Sequence, residues 1–415
     1  MYRAPRGTQD ILPKEQAYWR FVEQKAVDIC QLYGYERIDN PTFEDTSVFS
    51  RSVGEGTDIV EKEMYTFEDK GGNKITLRPE GTAPVCRAYL EHGLHNLPQP
   101  IKLYYIASIF RYERPQAGRY REHHQFGCEA IGNNDPALDA EVIDMAWQLL
   151  HSLGLSNLSL KLNSIGCKIC RPKYLSILKD NFAKYIDNLC PYCKTRLERN
   201  PLRLLDCKNP SCLSTINAIS KSYAYLCPQC NEHFDQLKKC LSMLEIPFEV
   251  ESRLVRGLDY YTRTVFEIQP EEKGAQNTIG GGGRYDDLIE ELGGKPTPAI
   301  GFASGIERII LNLKKQNIAI PPLPRPKIFI AHTGDVTKKE AIKLASRLRR
   351  VGIGVIEAIG DRSLKAQLRQ ANNLDVHYTI IIGEQELKTN TVKLREMTTA
   401  QERTVAISEL GKLLC

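Results

Sequence analysis

The sequence predicts an α+β main domain, with a large mixed or antiparallel sheet flanked by helices, carrying a helical cysteine-rich insertion and followed by a small α/β domain. Three observations lead there. Short apolar or alternating runs recur between residues 74 and 306, separated by Gly, Pro or charged turns; a long stretch holding four cysteine pairs interrupts them; and the proline-dense PPLPRPK at 321–327 closes the region.

The first element, Lys14–Tyr33, has helical spacing of Tyr18, Phe21, Val22, Val27, Ile29 and Leu32, with Gly34 placed to cap it. KITLRP, IKLYYIASIF, HQFGCEAIG and LSLKLNSIG read as strands, and Asp139–Leu153 as a helix through Val142, Met145, Ala146, Leu149 and Leu150. The cysteine-rich stretch lies between LKLNSIG and FEVESRLVRG and reads as helical over Tyr174–Leu189. Both flanks resemble strands of one sheet, so the stretch is expected to leave and return at neighbouring edges, as a separately packed module does. FEVESRLVRGLDYYTRTVFEI reads as strand throughout, AIGFASGI as another, and Ile306–Leu313 as a helix. Beyond the prolines, which stiffen the chain into a connector, KIFIAH, GVIEAI and YTIIIG read as β-rich runs. The basic stretch Lys338–Arg350 and the helix-like Ser363–Ala371 fall between them, predicting a largely parallel sheet. The expected boundaries are 1–325, interrupted by 164–247, and 326–415.

At 42% apolar and 26% charged residues the chain matches an ordinary globular protein, far from collagen-like or disordered compositions. No window approaches the ~18 uninterrupted apolar residues of a spanning helix, and MYRAPRGTQD carries no apolar signal core, so a cytoplasmic protein without a membrane partner is expected. The net charge of +5 is too mild to announce a nucleic acid, but its location is informative: residues 327–415 hold 15 basic and 10 acidic residues, leaving the rest neutral. That asymmetry suits either a polyanion-facing appendage or a small soluble domain with scattered lysines. Eight of 13 cysteines fall in pairs, Cys167/Cys170, Cys190/Cys193, Cys207/Cys212 and Cys227/Cys230, a spacing that favours metal over bridges in a reducing compartment.

Candidate chemistry concentrates in five places. FRYERPQAGRYREHHQFGCE (110–129) sets Arg111, Arg114, Arg119 and Arg121 in a loop between strands, where guanidinium forks suit phosphate oxygens and Glu113 can accept from an exocyclic amine; a charged hairpin tip is ordinarily just solvated. In RPEGT (78–82), Glu80 and Thr82 offer an acceptor and a hydroxyl to an ammonium group, or merely cap the helix that follows. RLVRGLDYYTRTVFE places Arg256, Asp259, Tyr260 and Tyr261 in strand-like sequence, where charges need partners or a ligand. GGGGRYDD (280–287) marks close backbone approach to a ligand or neighbour, or a flexible linker. GFASGIERII puts Arg308 early in a helix, ordinarily a surface position.

In this order, these motifs closely resemble histidyl-tRNA synthetases of the bacterial type, over essentially the full length. The class II signatures are a helix–strand element ending in RIDNP at Pro41, the FRYER hairpin and GFASGIER; the histidine-specific ones are LVRGLDYYTRTVFE and GGGGRYDDL. The resemblance implies a class II fold and ATP-dependent ligation of L-histidine to tRNA(His) through histidyl-adenylate, releasing pyrophosphate and AMP, with Mg2+ accompanying ATP. It implies that Arg111 holds the α-phosphate, Glu113 the adenine amine, Arg308 the γ-phosphate, and Arg256 the histidine carboxylate and α-phosphate. By the same resemblance Glu80, Thr82 and Gln125 form the α-amino site, Glu129 and Tyr261 bracket the imidazole, and Tyr260 and Tyr285 wall the pocket. His123 stands where the family commonly has the phenylalanine that stacks on adenine, which predicts weaker or more pH-sensitive ATP binding than in a His123→Phe variant.

The tail resembles the family's anticodon-binding domain, GDRSLKAQLRQA being its most recognisable part, and a homodimer is implied by the first signature. Cys190, Cys193, Cys207 and Cys212 have near zinc-ribbon spacing and form a candidate structural Zn2+ site. Cys167/Cys170 and Cys227/Cys230 can complete another, the alternative being small buried thiols. Two rival functions are a non-catalytic synthetase-like regulatory subunit of histidine biosynthesis, which commonly loses the signature arginines and the tail, and a zinc-ribbon nucleic-acid binder, which explains only the insertion.

Overall fold

The computed structural model describes residues 2–54, 57, 59–114, 118–218, 222–271 and 278–414, which divide into two compact units at Pro321/Pro322. The first contains α1 (Gln16–Tyr33), β1 (Glu36–Arg37), β2 (Phe43–Asp45), α2 (Thr46–Val53), β3 (Tyr65–Glu68), β4 (Lys74–Leu77), α3 (Thr82–Glu91), β5 (Ile101–Phe110), β6 (Glu122–Ile131), α4 (Pro136–Ser152) and β7 (Leu158–Ser164). It continues with α5 (Arg171–Ala183), α6 (Pro191–Arg199), α7 (Pro210–Ala218), α8 (Pro228–Met243), β8 (Phe248–Val250), β9 (Thr262–Pro270), β10 (Gly280–Arg284), α9 (Leu288–Glu291), β11 (Ala299–Gly305) and α10 (Ile306–Lys315).

Eight strands form one sheet in the order β1-β5-β6-β11-β10-β9-β7-β8. Only the outer pairs, β1 with β5 and β7 with β8, are parallel; the ladders between them are antiparallel. The small strands β2, β4 and β3 make a separate antiparallel sheet. One apolar layer joins α1, α4 and α10 to the large sheet through Trp19, Val22, Ile143, Met145, Phe126, Phe302 and Ile309. α1 ends as its sequence predicts, on Gly34 at φ 73°, where a left-handed residue satisfies the last carbonyls.

The four glycines of 280–283 are neither linker nor loop but the central strand β10, fully buried. A Cβ on Gly282 would sit 2.0 Å from the Gly301 carbonyl oxygen, so close strand approach demands glycine. The strand reading of 248–268 is corrected: only Phe248–Val250 and Thr262–Pro270 are strands, and Arg256, Asp259, Tyr260 and Tyr261 ride on the irregular segment between them. The reason is composition, since four charged or polar side chains need a cavity and donors that a buried central strand does not offer.

The cysteine-rich insertion leaves from β7 and returns on β8, its parallel neighbour. It is not separately packed. Phe234, Leu237 and Leu241 of α8 belong to the main core, and Tyr174, Leu178, Phe182 and Leu204 share a second core with Val85, Tyr89 and Tyr285. A buried polar knot fastens the same contact: Asp139 of α4 accepts from His233 of α8 (2.8 Å), Thr264 of β9 (2.7 Å) and Arg284 of β10. Burial opposes that carboxylate's charge, but Arg284 and His233 hold its pKa below the ordinary value.

The second unit has β12 (Ile328–His332), α11 (Asp335–Arg350), β13 (Val355–Glu357), α12 (Leu364–Asn373), β14 (Tyr378–Ile382), α13 (Glu384–Lys388), β15 (Thr391–Glu396), β16 (Glu402–Ala406) and α14 (Leu410–Leu413). Its sheet order is β13-β12-β14-β15-β16. The largely parallel expectation holds for β13, β12 and β14, but β15 and β16 add an antiparallel hairpin whose alternating TVKLRE and ERTVA runs the sequence reading passed over. Lys339, Lys343, Arg347 and Arg350 are exposed along α11. Among the described residues no helix is long and apolar enough to cross a membrane.

Candidate active site

A cavity of about 220 Å3 opens on one face of the large sheet, lined from β6, β10, β11, the start of α3, the start of α10 and the 256–261 segment. The elements explain its walls. β5, β6, β10 and β11 supply a rigid floor; glycines at 280, 281, 301 and 305 keep that floor low; and the helix starts bring Thr82 and Arg308 to its edge.

Arg111, Arg256 and Arg308 all line this cavity. Each is held by part of its guanidinium: Arg111 Nε donates to the Pro79 carbonyl at 2.7 Å, Arg308 Nη1 to the Thr278 carbonyl at 2.9 Å, and Arg256 Nη1 to Glu267. Glu267 is held from its other side by Thr278 Oγ1 at 2.7 Å. Four arginines and three glutamates line the cavity, and Arg119 and Arg256 are paired with Glu113 and Glu267. Burial first, then the neighbouring charges of Arg119 and Arg111, lower the pKa of Arg308. His123 is pushed down to about 3 by burial and by Arg111 and Arg308. Such a field is relieved by a multiply charged anion.

Of the loop arginines, Arg119 lines the cavity and pairs with Glu113 at 3.2 Å, so the Glu113 carboxylate is engaged by a protein cation. Arg121 instead stacks on the Tyr112 ring at 3.8 Å, and Arg114 is exposed; residues 115–117 of this loop lie outside the described residues. His123 lines the cavity as expected, and burial together with Arg111 and Arg308 keeps its imidazole neutral in the ligand-free protein, which speaks against a pH-sensitive contact there.

The other end is walled by Tyr260, Tyr261, Tyr285 and Tyr105, with Glu80, Thr82 and Gln125. The capping reading of Glu80 holds, and the residue also lines the cavity. Its two oxygens accept from the Thr82 and Ala83 backbone N–H groups at 2.7 and 2.8 Å, capping α3, and it also receives the Tyr260 hydroxyl at 3.3 Å. Burial raises its pKa. Glu129 is 1% exposed and accepts from Thr82 Oγ1 at 2.7 Å and from the Tyr285 hydroxyl, both of which line the cavity, while its Oε2 lies where a Cβ on Gly301 of the floor would stand.

Two participants escaped the sequence reading. Tyr105 lies against Gly81 and Gly127, where an added Cβ would meet its ring at 2.2 and 2.3 Å; a glycine inside the strand run HQFGCE is the signal that an aromatic neighbour presses there. Glu307 accepts the His124 backbone N–H at 3.0 Å and pairs with its Nδ1 at 2.9 Å, tying β6 to the turn that presents Arg308. An acid next to the cavity-lining Arg308 in GIER gives no sequence sign of its target.

The eight paired cysteines gather into two groups of four, Cys190, Cys193, Cys207, Cys212 and Cys167, Cys170, Cys227, Cys230, in each of which all Sγ atoms lie within 4.8 Å of one another.

The family model for histidyl-tRNA synthetase matches residues 7–168 and 211–309, and that for an anticodon binding domain matches 327–414. A histidine–tRNA ligase of Dehalococcoides mccartyi is 60% identical over 410 residues, 99% of this chain and 98% of the relative. One from Desulforamulus reducens is 50% identical over 406 residues, covering 98% and 97%. The crystal structure of apo S. aureus histidyl-tRNA synthetase superposes with a TM-score of 0.84 at 39% identity, covering all of both chains. A Bacillus halodurans structure described as an ATP phosphoribosyltransferase regulatory subunit/histidyl-tRNA synthetase shares the fold, with a TM-score of 0.65 at 23% identity, covering 92% and 98%.

Proposed function

The chain belongs to the histidyl-tRNA synthetase family, and on that premise we propose how its own residues carry out histidine–tRNA ligation. The reaction is that of a class II aminoacyl-tRNA synthetase: a carboxylate oxygen of L-histidine attacks the α-phosphorus of ATP, and the bond to the β-phosphate breaks to release pyrophosphate. The 3′-terminal ribose hydroxyl of tRNA(His) then attacks the adenylate carbonyl and AMP leaves. The regulatory-subunit reading is not favoured, because the curated relatives at high identity are ligases and the likeness to the regulatory-type structure is one of fold alone.

Arg256 joins the two reactants. It lines the cavity beside the Tyr261 ring, 5.9 Å from its centroid, and Glu267 fixes its orientation, which supports its binding the histidine carboxylate and the α-phosphate together. Arg111 clamps the α-phosphate as charge develops on it, and Arg308 takes the γ-phosphate, bending the triphosphate so that pyrophosphate leaves in line. His123 lies against adenine, and Glu113 accepts its amine once released from Arg119. At the other end Glu80, Thr82 and Gln125 hold the α-ammonium. Tyr261 and Glu129 bracket the imidazole, Tyr260 and Tyr285 close around it, and the Thr82 and Tyr285 hydroxyls hold Glu129 in place. An amino acid without ring nitrogens leaves buried polar groups unpaired, which is how the pocket discriminates.

Of the cavity carboxylates, Glu80 and Glu307 accept backbone N–H groups and Glu113 is ion-paired with Arg119, so none is assigned to Mg2+. Cys190, Cys193, Cys207 and Cys212 would hold a structural zinc ion; their spacing suits a single tetrahedral centre, which would cross-link the insertion. Residues 1–325, with 164–247 as the insertion, carry catalysis, and 326–415 read the anticodon. The protein works as a cytoplasmic homodimer.

The observation that supports this reading best is the convergence of Arg111, Arg256 and Arg308 on the cavity that also holds Glu80, Tyr260, Tyr261 and Tyr285. Histidine-dependent ATP–pyrophosphate exchange tests it: wild type exchanges, Arg256→Ala does not, and a wild type inert with histidine would refute it.

A further inference from the structure

The two ends of the insertion meet at four sulfurs. Cys167 and Cys170 precede α5, and Cys227 and Cys230 open α8. The Sγ separations are 3.9 Å for Cys167–Cys170, 3.9 Å for Cys167–Cys227 and 3.9 Å for Cys170–Cys230. A tetrahedral ion with metal–sulfur bonds of about 2.3 Å requires sulfurs about 3.8 Å apart. A disulfide requires about 2.05 Å.

The backbone is shaped to the same end. The Cys167 N–H donates to Cys170 Sγ at 3.3 Å, and Gly166, at φ 75°, leaves room where a Cβ would stand 2.8 Å from that sulfur. The Cys-Pro-Gln-Cys of 227–230 repeats the Cys-Pro-Tyr-Cys of 190–193, each with its first cysteine at a helix N-cap and proline in the first turn. Two sulfurs of one ion are thereby placed on a rigid helical start.

What the group fixes lies one residue away. The Arg171 guanidinium donates to the Tyr261 carbonyl and, at 3.4 Å, to that of Gly166. The Gly166 carbonyl also accepts the Arg263 N–H at 2.9 Å, and Ile165 donates to the Arg263 carbonyl at 2.8 Å. The strand that enters the tyrosine wall is therefore stitched to the Gly166–Arg171 segment.

We propose that Cys167, Cys170, Cys227 and Cys230 bind one structural zinc ion that clamps the first and last segments of the insertion and, through Arg171, holds the Tyr261 side of the amino-acid pocket in place. The clamp's effect on histidine rests on the ligase reading; the metal site does not. Arg171 is a positioning residue, touching no substrate.

Full-length protein purified without added metal and analysed by mass spectrometry is expected to hold two zinc equivalents per chain. The Cys190→Ser/Cys193→Ser variant keeps one, and reconstituted with Co2+ it shows the absorption of a tetrahedral tetrathiolate centre. Cys227→Ser/Cys230→Ser also keeps one, and its KM for histidine rises about 10-fold while the KM for ATP stays within about twofold of wild type. Well under one equivalent in Cys190→Ser/Cys193→Ser, or iron in place of zinc, overturns the site. A correct zinc count with unchanged histidine KM in Cys227→Ser/Cys230→Ser overturns the clamp. Absence of histidine-dependent exchange in wild type overturns the ligase reading and leaves the zinc count standing.

Discussion

Thr82 Oγ1 donates a 2.7 Å hydrogen bond to Glu129 Oε1, so a helix-start hydroxyl in the cavity wall rests on an acid wholly out of reach of solvent. Burial raises the Glu129 pKa from 4.5 to about 8, with Glu80 adding to the rise and the bonds from Tyr285 and Thr82 opposing it. The folded chain thus keeps a proton that the unfolded chain releases. This contribution to stability is whole below pH 4.5 and is lost as pH climbs through 8. Glu129→Gln cannot ionise, so thermal melts of ligand-free protein from pH 5 to pH 9 should show the variant gaining on wild type as pH rises, by up to a few kcal/mol at about 1.4 kcal/mol per pKa unit. A constant difference across that range contradicts the assignment.

Arg256→Lys tests geometry against charge. Lysine keeps the cation near Glu267 but cannot fork between two oxygens, so kcat/KM for exchange should fall about 100-fold, near 2.7 kcal/mol, with the melting temperature close to wild type. Near-normal exchange would show that a single cation suffices there.

Gly127→Ala should disturb the amino-acid end selectively. Its methyl group would meet the Tyr105 ring at 2.3 Å, and that ring lines the cavity. The expected result is a loss of about 1–3 kcal/mol of stability and a raised histidine KM with ATP KM little altered; an unchanged histidine KM would mean the ring yields away from the pocket.

His123→Phe should tighten ATP binding by the same factor at pH 6 and pH 8, because the imidazole it replaces is neutral at both. ATP KM values for the two proteins, measured at each pH, check this. A ratio that changes with pH would restore a protonated His123.

Removing residues 322–415 takes away one compact unit, including the exposed Lys339, Lys343, Arg347 and Arg350. Filter binding should show tRNA(His) affinity reduced on the order of 100-fold at low salt, with adenylate formation largely kept. Undiminished tRNA affinity would remove the reason for the tail's positive charge.

Much of this site was legible because glycines and arginines leave marks that survive the loss of context. Arg111 and Arg308 sit where strand or helix patterns begin or end, and Gly34 falls where the periodicity of α1 stops. The partners of Glu129, the Thr82 and Tyr285 hydroxyls, were not legible, because an acid in a strand sequence gives no sign of which distant hydroxyls the fold brings to it. The 251–261 segment was misread as strand because its aromatic and branched residues have β preference, while the donors and cavity that keep it irregular come from elsewhere in the chain. The cysteines were legible by contrast: the two groups that spacing suggests, Cys190, Cys193, Cys207, Cys212 and Cys167, Cys170, Cys227, Cys230, are the two the fold brings together.

The packing of α8 has a consequence for engineering. Since Phe234, Leu237 and Leu241 complete the hydrophobic interior beneath the sheet, and His233 completes the Asp139 knot, the cysteine-rich excursion cannot be trimmed away to yield a smaller working enzyme or transplanted whole onto a relative. Any shortened version would have to retain this helix and stop its cut short of Pro228.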